Sequence, residues 1–86
     1  MMAALEVFPI VRAMAEEGNP ASVSDAGVGA LAARSAVLGA QLNVHINAAG
    51  LADREAAERL CAEAAKIAAE AVAAEAEVLK VVASKL

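Results

Sequence analysis

The stretch DREAAERLCAEAAKIAAEAVAAEAEVLKVVAS, residues 53–84, contains neither proline nor glycine. Asp53 supplies a helix cap, and the run from Arg54 to Ser84 predicts a single helix of roughly 45 Å at 1.5 Å per residue. Leu60, Ala64, Ile67, Ala71, Ala74, Val78 and Val81 recur at three-four spacing, with Arg59, Glu63, Lys66, Glu70, Glu77 and Lys80 on the outer side. A flanking row of Ala57, Cys61, Ala68, Val72, Leu79 and Val82 widens the apolar face. This helix is longer than a globule of 86 residues is wide. Its apolar length exceeds what two shorter helices cover. The pattern therefore predicts an all-α bundle of three helices, the longest C-terminal, completed by self-association.

Upstream, Gly50 ends a second helix, and Gly18-Asn19-Pro20 marks its approach. Glycine for a chain reversal, Asn-Pro for an extended residue and two serines predict a loop from Gly18 to Asp25. Ser22 with Asp25, or Ser24 alone, is the expected cap. Beyond it, Val28, Leu31, Ser35, Leu38 and Leu42, continued by His45, form one stripe, and Gly29, Ala33, Ala36 and Ala40 a second, smooth one. Gly27 and Gly29 each weaken the helix by about 1 kcal/mol relative to alanine, so the backbone there packs closely or admits a ligand. The first helix is expected from Ala3 to Glu17, with Leu5, Phe8, Val11 and Met14 inside and Gly18 as a left-handed stop. Pro9 either kinks it or lies in the first turn of a helix beginning near Phe8. The one alternating run, LNVHIN, has no hairpin partner.

The hydrophobic fraction is 60%, yet 26 of the 86 residues are alanine, which has little surface to bury. No uninterrupted run reaches the ~18 apolar residues of a membrane span, and the start carries Glu6 without a basic leader. A cytoplasmic protein that does not enter membranes is the expectation. A net charge of −4 and a single aromatic, Phe8, argue against nucleic acid as partner. Cys61 and His45 are each the sole residue of their type, so the sequence implies no internal disulfide and no metal. Cys61 is read as apolar filler, with no second histidine to activate it.

Polar residues able to carry chemistry concentrate between positions 19 and 47: Asn19, Ser22, Ser24, Asp25, Arg34, Asn43, His45 and Asn47. Asp25 and His45 lie 20 residues apart, ~30 Å along one helix, so only a neighbouring helix or subunit brings them together. Asp25 also suits a helix start and His45 a solvated helix end. Asn43 and Asn47 share a face, unusually for residues that disfavour helix interiors, and bridge helices or meet a ligand. Arg34 suits a carboxylate, either a ligand's or a glutamate's.

Four elements in order resemble the cyclodeaminase/cyclohydrolase family of folate enzymes: the Gly18-Asn19-Pro20 loop, the Ser24-Asp25-Ala26-Gly27-Val28 helix start, the Asn43-Val44-x-Ile46-Asn47 ending, and a long acidic helix after Asp53. The resemblance implies a single helical domain over residues 1–86, similar to the later half of a domain about twice as long, and a dimeric assembly. It implies a tetrahydrofolate derivative as substrate, without metal. The expected reaction is conversion of 5-formiminotetrahydrofolate to 5,10-methenyltetrahydrofolate with loss of ammonia, a lyase reaction, or hydrolysis of the methenyl form. By resemblance, Asp25 and His45 are the catalytic candidates, and Asn19, Ser24, Gly27, Arg34, Asn43 and Asn47 the substrate-binding ones. A separate chain supplying the glycine-rich first half is the implied partner. The competing expectation is a non-catalytic helical interaction protein, a truncated relative.

Overall fold

The computed structural model describes residues 2–85. A single helical turn, α1 (Met2–Leu5), precedes α2 (Val7–Glu16), and two long helices follow, α3 (Pro20–Ala49) and α4 (Arg54–Lys85). Among the described residues there is no strand, and LNVHIN lies inside α3. The all-α reading holds.

Pro9 decides how the first segment is divided. It is the third residue of α2, where its missing N–H breaks no bond within α2; the N–H would have reached back to Leu5. The ladder therefore lapses at Glu6, between α1 and α2, and Pro9 occupies a first turn instead of kinking a continuous helix. Gly18 has φ +79°, the left-handed stop expected of it.

The loop after it is shorter than the sequence suggests. Asn19, not Ser22 or Ser24, caps α3: its side-chain oxygen accepts from the backbone N–H of Ala21 at 3.0 Å and of Ser22 at 3.4 Å. Pro20 takes the first helical position, where proline loses nothing. Ser22, Ser24 and Asp25 are consequently helix interior. At the other junction Asp53 Oδ1 accepts from Ala56 N at 3.1 Å, and Gly50 lies just past the end of α3, both as expected.

Helices α3 and α4 are antiparallel neighbours: Gly27 lies against Val82, Arg34 against Glu75, and Val44 and Leu60 line a common cleft near the turn. Helix α2 packs on the half of this hairpin that holds the N-terminus of α3, joining Phe8, Val11 and Ala15 to Ala26, Ala30, Ala33, Val37, Ala68, Ala71 and Val78 in the core. The approach of α2 is close. A Cβ on Gly29 would lie 2.9 Å from Val11 Cγ1, so the packing reading of that glycine is the one realised. The molecule measures 51 × 16 × 14 Å, with a radius of gyration of 15.3 Å. A compact chain of this length would have about 12 Å.

The sequence marks two stripes on α3, and the structure ranks them: Val28, Leu31 and Leu42 are exposed, and the buried face is Val23, Ala26, Ala30, Ala33 and Val37. The inner face of α4 is itself mostly alanine, at Ala57, Ala64, Ala68 and Ala71, and two alanine faces fit at an interaxial distance that leucines on either would hold apart. One expectation about burial is corrected: α4 is not short of cover, because α3 has 30 residues and runs back along it. Exposed large apolar side chains lie on the far side of α3 and at Ile10 of α2. The outer charges of α4 are exposed as expected, with Leu60 and Val72 the members of the apolar rows left outside.

Candidate functional site

Seven of the eight site candidates lie on α3, and Asn19 caps it, so their relation follows from helix geometry. At about 3.6 residues per turn, Asp25, Asn43 and Asn47 fall along one side. Gly27, Arg34 and His45 fall along the opposite side, and Ser24 joins the exposed apolar stripe between them. Asp25 and His45 are thus separated both along the helix and around it. Within one copy of the chain they do not meet.

Each candidate has a definite environment. Asn19 is occupied by its cap bonds. Gly27 is buried, with both Val82 methyls 3.7 Å from where its Cβ would be, which makes it a packing position against α4. Ser24 and Asp25 are exposed on the second turn of α3. Asp25 does not serve as the cap, since the helix starts five residues earlier. Asn43 and Asn47 are exposed, and their side-chain amides make no hydrogen bond among the described residues. Of the two expectations for them, the bridging of helices is not realised. The absence of an internal partner nevertheless leaves two amides, one helical turn apart, beyond the reach of α2 and open to an external group.

Arg34 has its glutamate. Nη1 donates to Glu75 Oε1 at 3.0 Å, with Arg34 42% exposed at its side chain and Glu75 only 7%. Glu75 Oε2 is buried without a partner among the described residues. This carboxylate escaped the sequence reading, yet its signal was present: Glu75 falls in register with Ala71 and Val78 on the inward face, four and three residues away. One guanidinium bond orients it and leaves Nε and Nη2 available at the edge of the α3 stripe.

His45 is exposed near the end of α3, the solvated position expected of it, and borders a cleft of about 280 Å³ with Arg54, Glu58 and Cys61. Cys61 is half-buried there. Arg54 is engaged, since its Nη2 donates to Ala48 O at 2.6 Å and Leu51 O at 2.7 Å, closing the negative end of α3. A larger apolar cleft of about 380 Å³ lies between α2 and α4, against Phe8, Pro9, Ala74 and Val78, and holds no predicted site residue. Among the described residues no three His, Cys, Asp or Glu side chains come close enough to hold a metal ion. Among the described residues no helix is long and apolar enough to cross a membrane.

Comparison with known proteins bears on this arrangement. The sequence model of a family described as Formiminotransferase-cyclodeaminase matches residues 1–82. A methenyltetrahydrofolate cyclohydrolase of Methylorubrum extorquens is 41% identical over 81 residues, covering 94% of this chain and 39% of that protein. The chain thus spans about two fifths of the length of the curated relative it matches. No solved structure matches.

Proposed function

Because the chain belongs to the formiminotransferase-cyclodeaminase family, we propose that it forms part of a binding site for a tetrahydrofolate derivative, in cyclodeaminase or methenyl-cyclohydrolase chemistry. The observation that carries this reading is the pair of unpartnered amides on Asn43 and Asn47. An amide offers two donors and an acceptor, which suits the donor-acceptor edges of a reduced pterin. Asp25 falls on the same side of α3, about 27 Å away, too far for one pterin to touch both ends. In this reading Asn43 and Asn47 hold the ligand. Asp25 and His45 exchange protons with the departing ammonia or the attacking water only in a site to which a further chain brings the missing groups. Ser24 and Arg34 lie on other sides of α3 and contact substrate only in such a shared site, where the guanidinium nitrogens that Glu75 leaves free suit the folate carboxylates.

A second reading is favoured by the same geometry: the candidates diverge around α3 instead of converging. It is a helical interaction protein of the family, working inside the cell without catalysis of its own. Titration calorimetry with 5-formyltetrahydrofolate, a stable reduced folate, separates the two. Saturable heats that weaken about tenfold in Asn43→Ala and Asn47→Ala, the loss of one or two hydrogen bonds, support the first. Flat heats at about millimolar ligand refute a site in this chain and leave the second. Loss of methenyltetrahydrofolate absorbance in the presence of the protein would assign hydrolysis over deamination.

A further inference from the structure

Among the described residues Glu75 is the one charged or polar side chain buried in the core, and its oxygen Oε2 has no partner. The bond it does make is to Arg34, the only lysine or arginine of α3. Stability alone does not call for such a pair, since apolar residues of similar volume in place of a buried ion pair are often neutral or better. We propose that the pair serves register: it fixes how far α3 slides along α4, which the apolar surfaces of the two helices leave open.

The buried residues are largely methyl groups, Ala26, Ala30 and Ala33 on α3 and Ala57, Ala64, Ala68 and Ala71 on α4. Such faces offer low ridges and shallow grooves, so few contacts select one axial position. Shifted by three residues, Ala68 and Ala71 give way to Ala65 and Ala68, or to Ala71 and Ala74. The turn does not settle the matter either. Gly50 has φ −86° and ψ −5°, right-handed angles close to helical, and Ala48, Ala49 and Ala52 beside it are helix formers, so α3 gains or loses residues there at small cost. Glu75 is different. In the observed register its carboxylate meets a guanidinium; three or four residues away in either direction it would face Ala30, Leu31, Val37 or Leu38, none of which carries a side-chain donor. A buried charge parted from its partner disfavours those registers by about thirtyfold, given that Arg34 is partly exposed. The pair therefore excludes shifts that the alanines tolerate, as a lone polar residue at a core position does in a coiled coil. Because Asn43 and Asn47 ride on α3, the same pair fixes their height against α4, whatever they bind.

Double electron–electron resonance on the full chain tests this. Nitroxides on Ala32→Cys and Ala62→Cys, both exposed positions, in a Cys61→Ala background stand about 22 Å apart along the hairpin axis, and excess unlabelled chain keeps the measured distances intramolecular. With the pair intact the expected result is one narrow distance maximum. Arg34→Met with Glu75→Leu keeps the helical circular dichroism and adds a second maximum, displaced by about 4 Å of the roughly 5.4 Å travel of one turn. Glu75→Leu alone, which leaves only a partly exposed guanidinium for water to solvate, adds the same maximum, whereas Glu75→Gln, which still offers Arg34 an acceptor, keeps one. A single unshifted maximum in both leucine variants would assign the register to apolar packing and the turn, and so overturn the proposal. Two maxima with the pair intact, or loss of helical circular dichroism in both leucine variants, would overturn it as well, the latter by making the pair a requirement for folding.

Discussion

Three glycines of α3 differ only in what surrounds them, and replacing each by alanine should have different consequences. Alanine in a helix interior is favoured over glycine by about 1 kcal/mol, mostly through the unfolded chain's entropy. Gly39 meets nothing within 4 Å, so Gly39→Ala should gain that full amount, raising the melting temperature by about 4–8 °C in a chain of this size. At Gly27 the new Cβ would contact two Val82 methyls at 3.7 Å, an ordinary separation. Burying one methyl adds up to about 0.8 kcal/mol, so Gly27→Ala should stabilise by about 1–2 kcal/mol. Gly29 reverses the sign. Its Cβ would lie 2.9 Å from Val11 Cγ1, and Val11 is buried and held to one rotamer by its own helix, so α2 itself must move. Overpacking costs of about 1–3 kcal/mol cancel or exceed the propensity gain, and Gly29→Ala should be neutral or destabilised by up to about 2 kcal/mol. Thermal and urea melts followed by circular dichroism, at one protomer concentration, give the order. If Gly29→Ala is as stable as Gly39→Ala, α2 does not approach α3 as described.

Other substitutions probe single contacts. Asn19→Ala should destabilise by about 1 kcal/mol through the lost cap, while Ser24→Ala, in the helix interior, should be neutral or slightly stabilising; urea midpoints distinguish this from a cap at Ser24. Arg34→Ala strands the buried Glu75 and should cost about 2 kcal/mol, less than the 3–5 of a fully buried pair because Arg34 is partly solvated. Arg34→Met with Glu75→Leu should recover most of that loss, and a double-mutant cycle showing simple additivity would remove the pair from the account. Arg54→Met should destabilise by about 1–2 kcal/mol through the freed carbonyls of Ala48 and Leu51, measurable as a lower melting temperature with no change in helix content.

The site was legible in kind but not in arrangement. That α3 carries the polar candidates follows from their position in the chain. That Asp25 and His45 stand apart follows from rise per residue alone. Asn19 was misplaced because Asn-Pro was read as a loop signal, although asparagine before proline is equally the pattern of a capped helix with proline at its first position. Glu75 was passed over because glutamate recurs along α4 as surface charge, and only its register distinguishes it. Arg34 was legible as needing an acid, but which of the many glutamates answers it depends on how α3 runs back along α4.

Local chemistry settles what the sequence determines by itself: helical class, the stop at Gly18, the cap at Asp53, the end at Gly50 and the unbroken length of α4, because propensity, capping and chain reversal act within a few residues. Tertiary structure alone decides which stripe of α3 goes inside. Periodicity marks two faces on that helix and cannot rank them. The ranking depends on the opposing surface, where the alanines of α4 accept an alanine face closely and leave Val28, Leu31, Leu42 and Ile46 to the outside.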